Sequence, residues 1–257
     1  MLKANSWVRI VPAIVLVVGL LAAVGTVAGA LDKNEALIKA VQDNRLDEVK
    51  ELLGSGADPD ATNVDGFTAL MFASNGGPPS IVELLLKKGA HVNAGTKSGK
   101  TALIIASTAG SSDIVRLLLS KGANVNAAAE DGGTALMAAS IMAHPSVVKL
   151  LLDKGADVNF KSRKGFTALF GASGKDNVEV VKLLLERGAN VDVREKNNIT
   201  PLMVASLYGR KKIVALLLEK GADVNIKSVD GTTALKLATR SGHKDIVELL
   251  KSRGAKE

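Results

Sequence analysis

The chain has no cysteine, which removes disulfides, thiol nucleophiles, cysteine-ligated zinc and the acylated cysteine of a bacterial lipoprotein. Aromatic residues make up only 3%, so any core has to be built from Leu, Val, Ile and Ala. Nor is there a large excess of charge of one sign. The formal net charge is +7, and setting aside Lys3 and Arg9 leaves 31 basic against 26 acidic side chains from residue 31 onward. So mild a balance provides no polycation and speaks against nucleic acid as a partner. What is present, 47% hydrophobic and 23% charged residues in a chain of 257, is the composition of a globular protein.

The first thirty residues stand apart. MLKANSWVR carries two positive charges and no negative one, and the 21 residues from Ile10 to Ala30 carry no charge. A basic start, an apolar centre and the small-residue sequence Ala28-Gly29-Ala30 are the three parts of a secretory signal peptide, with cleavage after Ala30. An uncleaved signal anchor is the other reading, because 21 residues at helical rise span about 31 Å, close to a bilayer core. A helix apolar all round has no solvent face, so it does not suit a small soluble domain. Lys3 and Arg9 flank one side, and Asp32, Lys33 and Glu35 the other, which orients everything after residue 30 away from the cytoplasm.

From residue 31 the chain repeats itself. Gly-Ala pairs begin at Gly56, Gly89, Gly122, Gly155, Gly188, Gly221 and Gly254, and every interval is 33 residues. The same interval separates Thr68, Thr101, Thr134, Thr167, Thr200 and Thr233 in TALMFA, TALIIA, TALMAA, TALFGA, TPLMVA and TALKLA. A Thr N-cap followed by Ala or Pro opens a short helix. A second helix follows in segments such as DIVRLLLSKGA and EVVKLLLERGA, with the glycine just past its last turn. The remaining residues form a turn in which Gly66, Gly99, Gly132, Gly165, Asn198 and Gly231 suit positive φ. One period before Thr68 stands Glu35, whose following Ala36, Leu37 and Ala40 keep the pattern, so the units number seven. Glu51 and Lys251 replace inner leucines in the first and last units, as the exposed ends of a stack require.

The period, the T-[AP]-L-x-x-A helix start and the GA-[DN]-V-N turn resemble ankyrin repeats over residues 31 to 257, behind the export segment of residues 1 to 30. The resemblance implies an all-α solenoid of helix-turn-helix units with hairpin fingers, and recognition of another protein on its concave face. The histidine of the family's T-P-L-H-x-A motif is replaced by Met71, Ile104, Met137, Phe170, Met203 and Lys236. Five of those six are apolar and should extend the contact between units instead.

AGTKSGKT, Ala94 to Thr101, fits a loose phosphate-loop pattern, but the repeat already accounts for Gly99 and Thr101, and no strand precedes it. His91, His144 and His243 are scattered, the last two in one register position at the start of the second helix. The Asp and Asn residues of the GADVN turns suit Asx turns. Asn198-Ile199-Thr200 is a glycosylation sequon, yet its Thr200 is a repeat cap. No catalytic constellation, cofactor site or metal site is expected.

What folding does not require sits beside the turn glycines and after the first helices. In the early units these residues include Phe67, Lys97, Lys100, Ile141 and Met142. In the later units they include Arg163, Lys164, Phe166, Lys175, Arg194, Lys196, Ile199, Tyr208 and Arg240. Between Phe160 and Lys175 there are four basic residues and no acidic one. The expectation is a monomeric, non-enzymatic scaffold, periplasmic or secreted, that grips a protein partner with an acidic surface through the concave face of repeats five and six. A structural protein anchored through residues 10 to 30 and contacting anionic lipid or cell-wall polymer is the second reading, and a phosphate-loop enzyme the third. Intact-mass analysis of the exported fraction is expected to show a mature chain beginning at Leu31. A membrane-bound mass that retains residues 1 to 30 would establish the anchor.

Overall fold

A computed structural model describes residues 33–256. Residues 1 to 30, read from the sequence as an export signal, lie outside the described residues. Those described form fourteen helices and no strands. Helix α1 covers residues 33–42. It is followed by α2 (Leu46–Gly54), α3 (Ala69–Ser74), α4 (Pro79–Lys87), α5 (Ala102–Ala109), α6 (Ser112–Ser120), α7 (Ala135–Ile141) and α8 (Pro145–Asp153). The chain ends with α9 (Ala168–Ser173), α10 (Val178–Glu186), α11 (Pro201–Leu207), α12 (Lys211–Glu219), α13 (Ala234–Arg240) and α14 (Lys244–Ser252).

Each repeat is one helical hairpin. Its first helix has six to eight residues from repeat two onward, too short to persist alone in water. Thr68, Thr101, Thr134, Thr167, Thr200 and Thr233 cap these helices as the sequence predicts, each hydroxyl accepting the amide three residues on. Every second helix closes on a glycine in the left-handed region, from Gly56 at φ 94° to Gly254 at φ 83°. Ala143 takes φ 65° where neighbouring repeats place Gly110, Gly209 and Gly242, a strain of about 1 kcal/mol at the end of α7.

Stacking is what holds the hairpins. From α3 to α13 the first helices pack in order on one another, and from α2 to α14 the second helices form a row behind them. Ile81, Val82 and Leu85 of α4 are fully buried, and so are their equivalents one period on, Ile114, Val115 and Leu118. Four of the five apolar replacements of the motif histidine behave as the sequence suggests: Met71, Ile104, Met137 and Met203 are buried in one continuous core, whereas Phe170 is half-buried. That core is aliphatic, for no described aromatic is fully buried. Glu51 and Lys251 are exposed at the two ends.

Two polar ladders fix the register between repeats. In the GADVN turns the first Asx residue makes the expected Asx turn, for example Asn124 accepting from the Asn126 amide at 3.0 Å. The second reaches into the next repeat. Asn126 donates to the Gly155 carbonyl at 3.2 Å and accepts the Asp157 amide at 2.8 Å. Asn93, Asn159 and Asn225 repeat both bonds. Asp192 keeps only the accepting half, taking the Asp223 amide at 3.0 Å. The second ladder joins finger tips. Glu130 donates its amide to Ser98, Arg163 to Asp131, Lys196 to Lys164 and Val229 to Asn197, at 2.8 to 3.2 Å. Gly132 makes this approach possible, because a Cβ there would stand 2.7 Å from the Ser162 Cα, at a φ of 84° that already favours glycine. At the far end Lys211 bonds Asp245 at 3.2 Å across repeats six and seven, and that hydrogen bond holds the carboxyl below the usual carboxylate range.

Magnitudes divide the labour. A buried Leu, Ile or Val contributes ~2 kcal/mol, against ~1 kcal/mol for a hydrogen bond, so the aliphatic stack supplies stability and the ladders supply alignment. Replacing Asn126 with alanine should therefore cost about 1 to 2 kcal/mol in urea denaturation, while Asn126→Asp, which keeps the acceptor as Asp192 does, should cost about half as much. Equal losses for the two variants would mean that the bond accepted from the Asp157 amide contributes nothing.

Candidate functional site

The fingers and the first helices form one concave face. Each finger is a narrow hairpin closed by a backbone bond, such as Ser162 N–H to the Phe166 carbonyl at 2.9 Å, with its glycine at the tip. Asn198 takes the glycine place at φ 65° and donates Nδ2 to the Lys227 carbonyl at 2.6 Å, so the sequon's amide nitrogen is already engaged.

The residues singled out from sequence fall on two edges of this face. Arg163, Lys164 and Phe166 lie on the finger before α9, and Arg194, Lys196 and Ile199 on the finger before α11. The two fingers are tied by the Lys196 amide to the Lys164 carbonyl at 3.2 Å. All four cations are exposed, and Phe166 is 37% exposed. Ile199 differs, since it is half-buried against the core and part of its side chain is committed to packing. Lys175 and Tyr208 sit at the opposite ends of α9 and α11. Helix α9 has six residues, so about 9 Å of helix separates them from the fingers. Tyr208 is 57% exposed and its ring lies over Gly174, where a Cβ would be 3.5 Å from Cδ2. Its neighbour on α11, Leu207, is also exposed.

Between the two edges the face is hollowed into a trough of about 980 Å³ across repeats three to five. Ile104, Met137, Ala138, Ile141 and Phe170 form its apolar side, and Phe166 stacks on Phe170 with ring centroids 4.8 Å apart at 24°. Lys100, Arg163 and Lys164 line its finger side together with Glu130 and Asp131. Arg163 and Glu130 face one another at 4.0 Å, and Asp131 accepts the Gly133 amide at 2.8 Å. Of these, Lys100, Ile141, Arg163, Lys164 and Phe166 had been singled out from sequence. The trough itself had not, and its centre lies toward repeat four rather than between five and six. The signal was the small size of Ala138 and Gly171 in a position otherwise filled by bulky residues.

The other chemical candidates resolve into structure. In Ala94–Thr101, Gly95 and Thr101 pair across a finger, Gly99 is its tip at φ 74°, and the Thr101 hydroxyl accepts from the Ile104 amide. That is a hairpin, not a strand entering a helix. His144 and His243 donate Nε2 to the carbonyls of Thr108 and Leu207 in the preceding repeats, at 3.0 and 3.1 Å, and Arg210 in the same register position does so to Gly174 at 3.3 Å. His91 pairs with Asp60. Among the described residues no group of three or more His, Asp or Glu converges as a metal site would, and no helix is long and apolar enough to cross a membrane. Asp230, on the last finger, is held below the usual carboxylate range by hydrogen bonds from Ser228 and Thr232.

Comparison with known families agrees with this geometry. A family model described as ankyrin repeats (3 copies) matches residues 37–129, 94–162, 126–195 and 172–257, which together span the repeats. No curated protein matches the chain. Equilibrium dialysis with ATP and with GTP in Mg²⁺ is expected to give no saturable binding, since the Ala94–Thr101 finger spends its glycine and its threonine on the hairpin. Uptake abolished by Lys100→Ala would contradict that reading.

Proposed function

Since the chain belongs to the ankyrin repeat family, whose repeats form a protein–protein interaction module and are generally non-enzymatic, we propose that it is an exported binding scaffold whose concave face receives an acidic protein partner. The observation that carries this reading is the run of exposed cations on adjacent fingers, Arg163, Lys164, Arg194 and Lys196, beside the partly exposed ring of Phe166. Cations held on a rigid, backbone-linked row steer an acidic surface to the face, and apolar side chains next to them retain it. Export rests on the charge and hydropathy pattern of residues 1 to 30 and places the partner outside the cytoplasm.

Affinity capture from the native compartment, followed by surface-binding kinetics at two salt concentrations, tests the proposal. Reversing Arg163 and Lys164 to glutamate should slow association and flatten its salt dependence. Tyr208→Ala, on the other edge, should mainly speed dissociation, by ~1 to 2 kcal/mol. Melting should stay within about 0.5 kcal/mol of wild type in both, because these side chains are exposed. Unchanged kinetics in all variants would remove the basic face from the binding surface. Retention on anionic vesicles or cell-wall polymer, with no captured protein, would favour the anchored structural reading.

A further inference from the structure

One position of the repeat looks directly onto the concave face, the second variable residue of T-[AP]-L-x-x-A. It is Phe72, Ile105, Ala138, Gly171, Val204 and Leu237 in successive repeats, and all six are half-buried. The side chain is bulky in the outer repeats, a methyl group in repeat four and a hydrogen in repeat five. The trough lies where that bulk is missing. Ile141 leans into part of the space, its Cγ1 2.5 Å from where a Cβ on Gly171 would stand. The hollow is thus written into one register position and needs no departure from the fold.

The walls restrict what can occupy it. Ile104, Met137, Ile141, Phe166 and Phe170 present apolar surface, which favours large apolar side chains over a polar ligand. The finger rim carries Lys100, Arg163 and Lys164, opposed by Glu130 and Asp131. Glu130 is turned toward Arg163 and Asp131 is engaged by the Gly133 amide, so its acidity is partly spent within the rim. Lys100 and Lys164 make no ion pair among the described residues. A volume of about 980 Å³ is large enough for a few residues of a peptide and too large for a single side chain.

We propose that the trough over repeats three to five is an anchor site for a short acidic segment of a partner protein, its large apolar side chains seated over Ala138 and Gly171 and its flanking carboxylates on Lys100 and Lys164. This rests on the concave-face reading above and adds a place and a ligand chemistry to it. Recognition then has two parts: the outer fingers attract, and the hollow selects for an apolar centre.

The test uses the full chain and a fluorescein-labelled peptide with a Leu-Phe centre flanked on both sides by glutamates. Controls replace the centre by Ser-Ser or the flanks by lysines. Fluorescence anisotropy should show saturable binding of the first peptide alone. Ala138→Ile and Gly171→Leu fill the hollow with side chains that other repeats carry in this position; Gly171→Leu also requires the Ile141 side chain to swing aside, and thermal melting checks that both variants keep the fold. Each should weaken binding on the order of thirtyfold, the effect of losing an interface anchor. Lys164→Glu should weaken it as well and flatten its salt dependence. Absence of saturable binding, equal binding of the Ser-Ser peptide, or affinity unchanged in both filled variants would overturn the proposal. The two readings separate on a captured partner: sensitivity to Arg163 and Lys164 reversal with indifference to Ala138→Ile leaves concave recognition standing and removes the anchor, whereas indifference to both removes both.

Discussion

An isolated helical hairpin of this chain cannot bury its own apolar faces. From repeat two onward its first helix has six to eight residues, and the fully buried Ile, Val and Leu of its second helix face other hairpins as well as its own partner. Everything else follows from the need for neighbours. The aliphatic contact between successive repeats supplies the stability, and the absence of large buried rings keeps each contact small enough to repeat without adjustment. Polar groups then have only to choose among registers that the apolar surfaces would tolerate almost equally. The Asn ladder does this at the turns and the backbone bonds do it at the finger tips, so the concave face inherits a rigidity that its short helices do not possess.

That rigidity is what lets loops carry the residues proposed to bind. Arg163, Lys164, Arg194 and Lys196 stand on hairpins only a few residues long, yet the hairpins are tied to one another through main-chain atoms. Substituting their side chains leaves those ties untouched. Folding and the proposed recognition therefore draw on different atoms of the same segment, and the exposed positions are open to variation while Gly132, pressed against Ser162, is not.

The repeat was fully legible in the sequence because its causes are local. A Thr cap, a glycine in the left-handed region and an aliphatic run each act within a few residues, and an unbroken period makes them visible together. Asn126 was harder. Its Asx setting suggested a bond inside its own turn, whereas its partners lie about one period ahead and become apparent only when two repeats are stacked. The trough was harder still, since it is made by what Ala138 and Gly171 lack, and an absent side chain leaves no motif. Lys175 and Tyr208 were singled out as residues that follow the first helices, and the length of those helices sets them on the opposite edge of the face from the fingers. Ile199 was set among the residues folding does not need because its turn is exposed, yet the stack draws part of its side chain inward.

The Asn ladder has a consequence for how such a chain can change its length. Asn93 binds the carbonyl of Gly122 and the amide of Asn124, and Asn126 finds the same two groups one period later in Gly155 and Asp157. Excising one whole period would bring Asn93 to Gly155 and Asp157 with nothing to mend. The scaffold is a text that can lose or gain a line and still read correctly. The hollow has no such freedom, since it exists only while the lines carrying Ala138 and Gly171 stand next to each other.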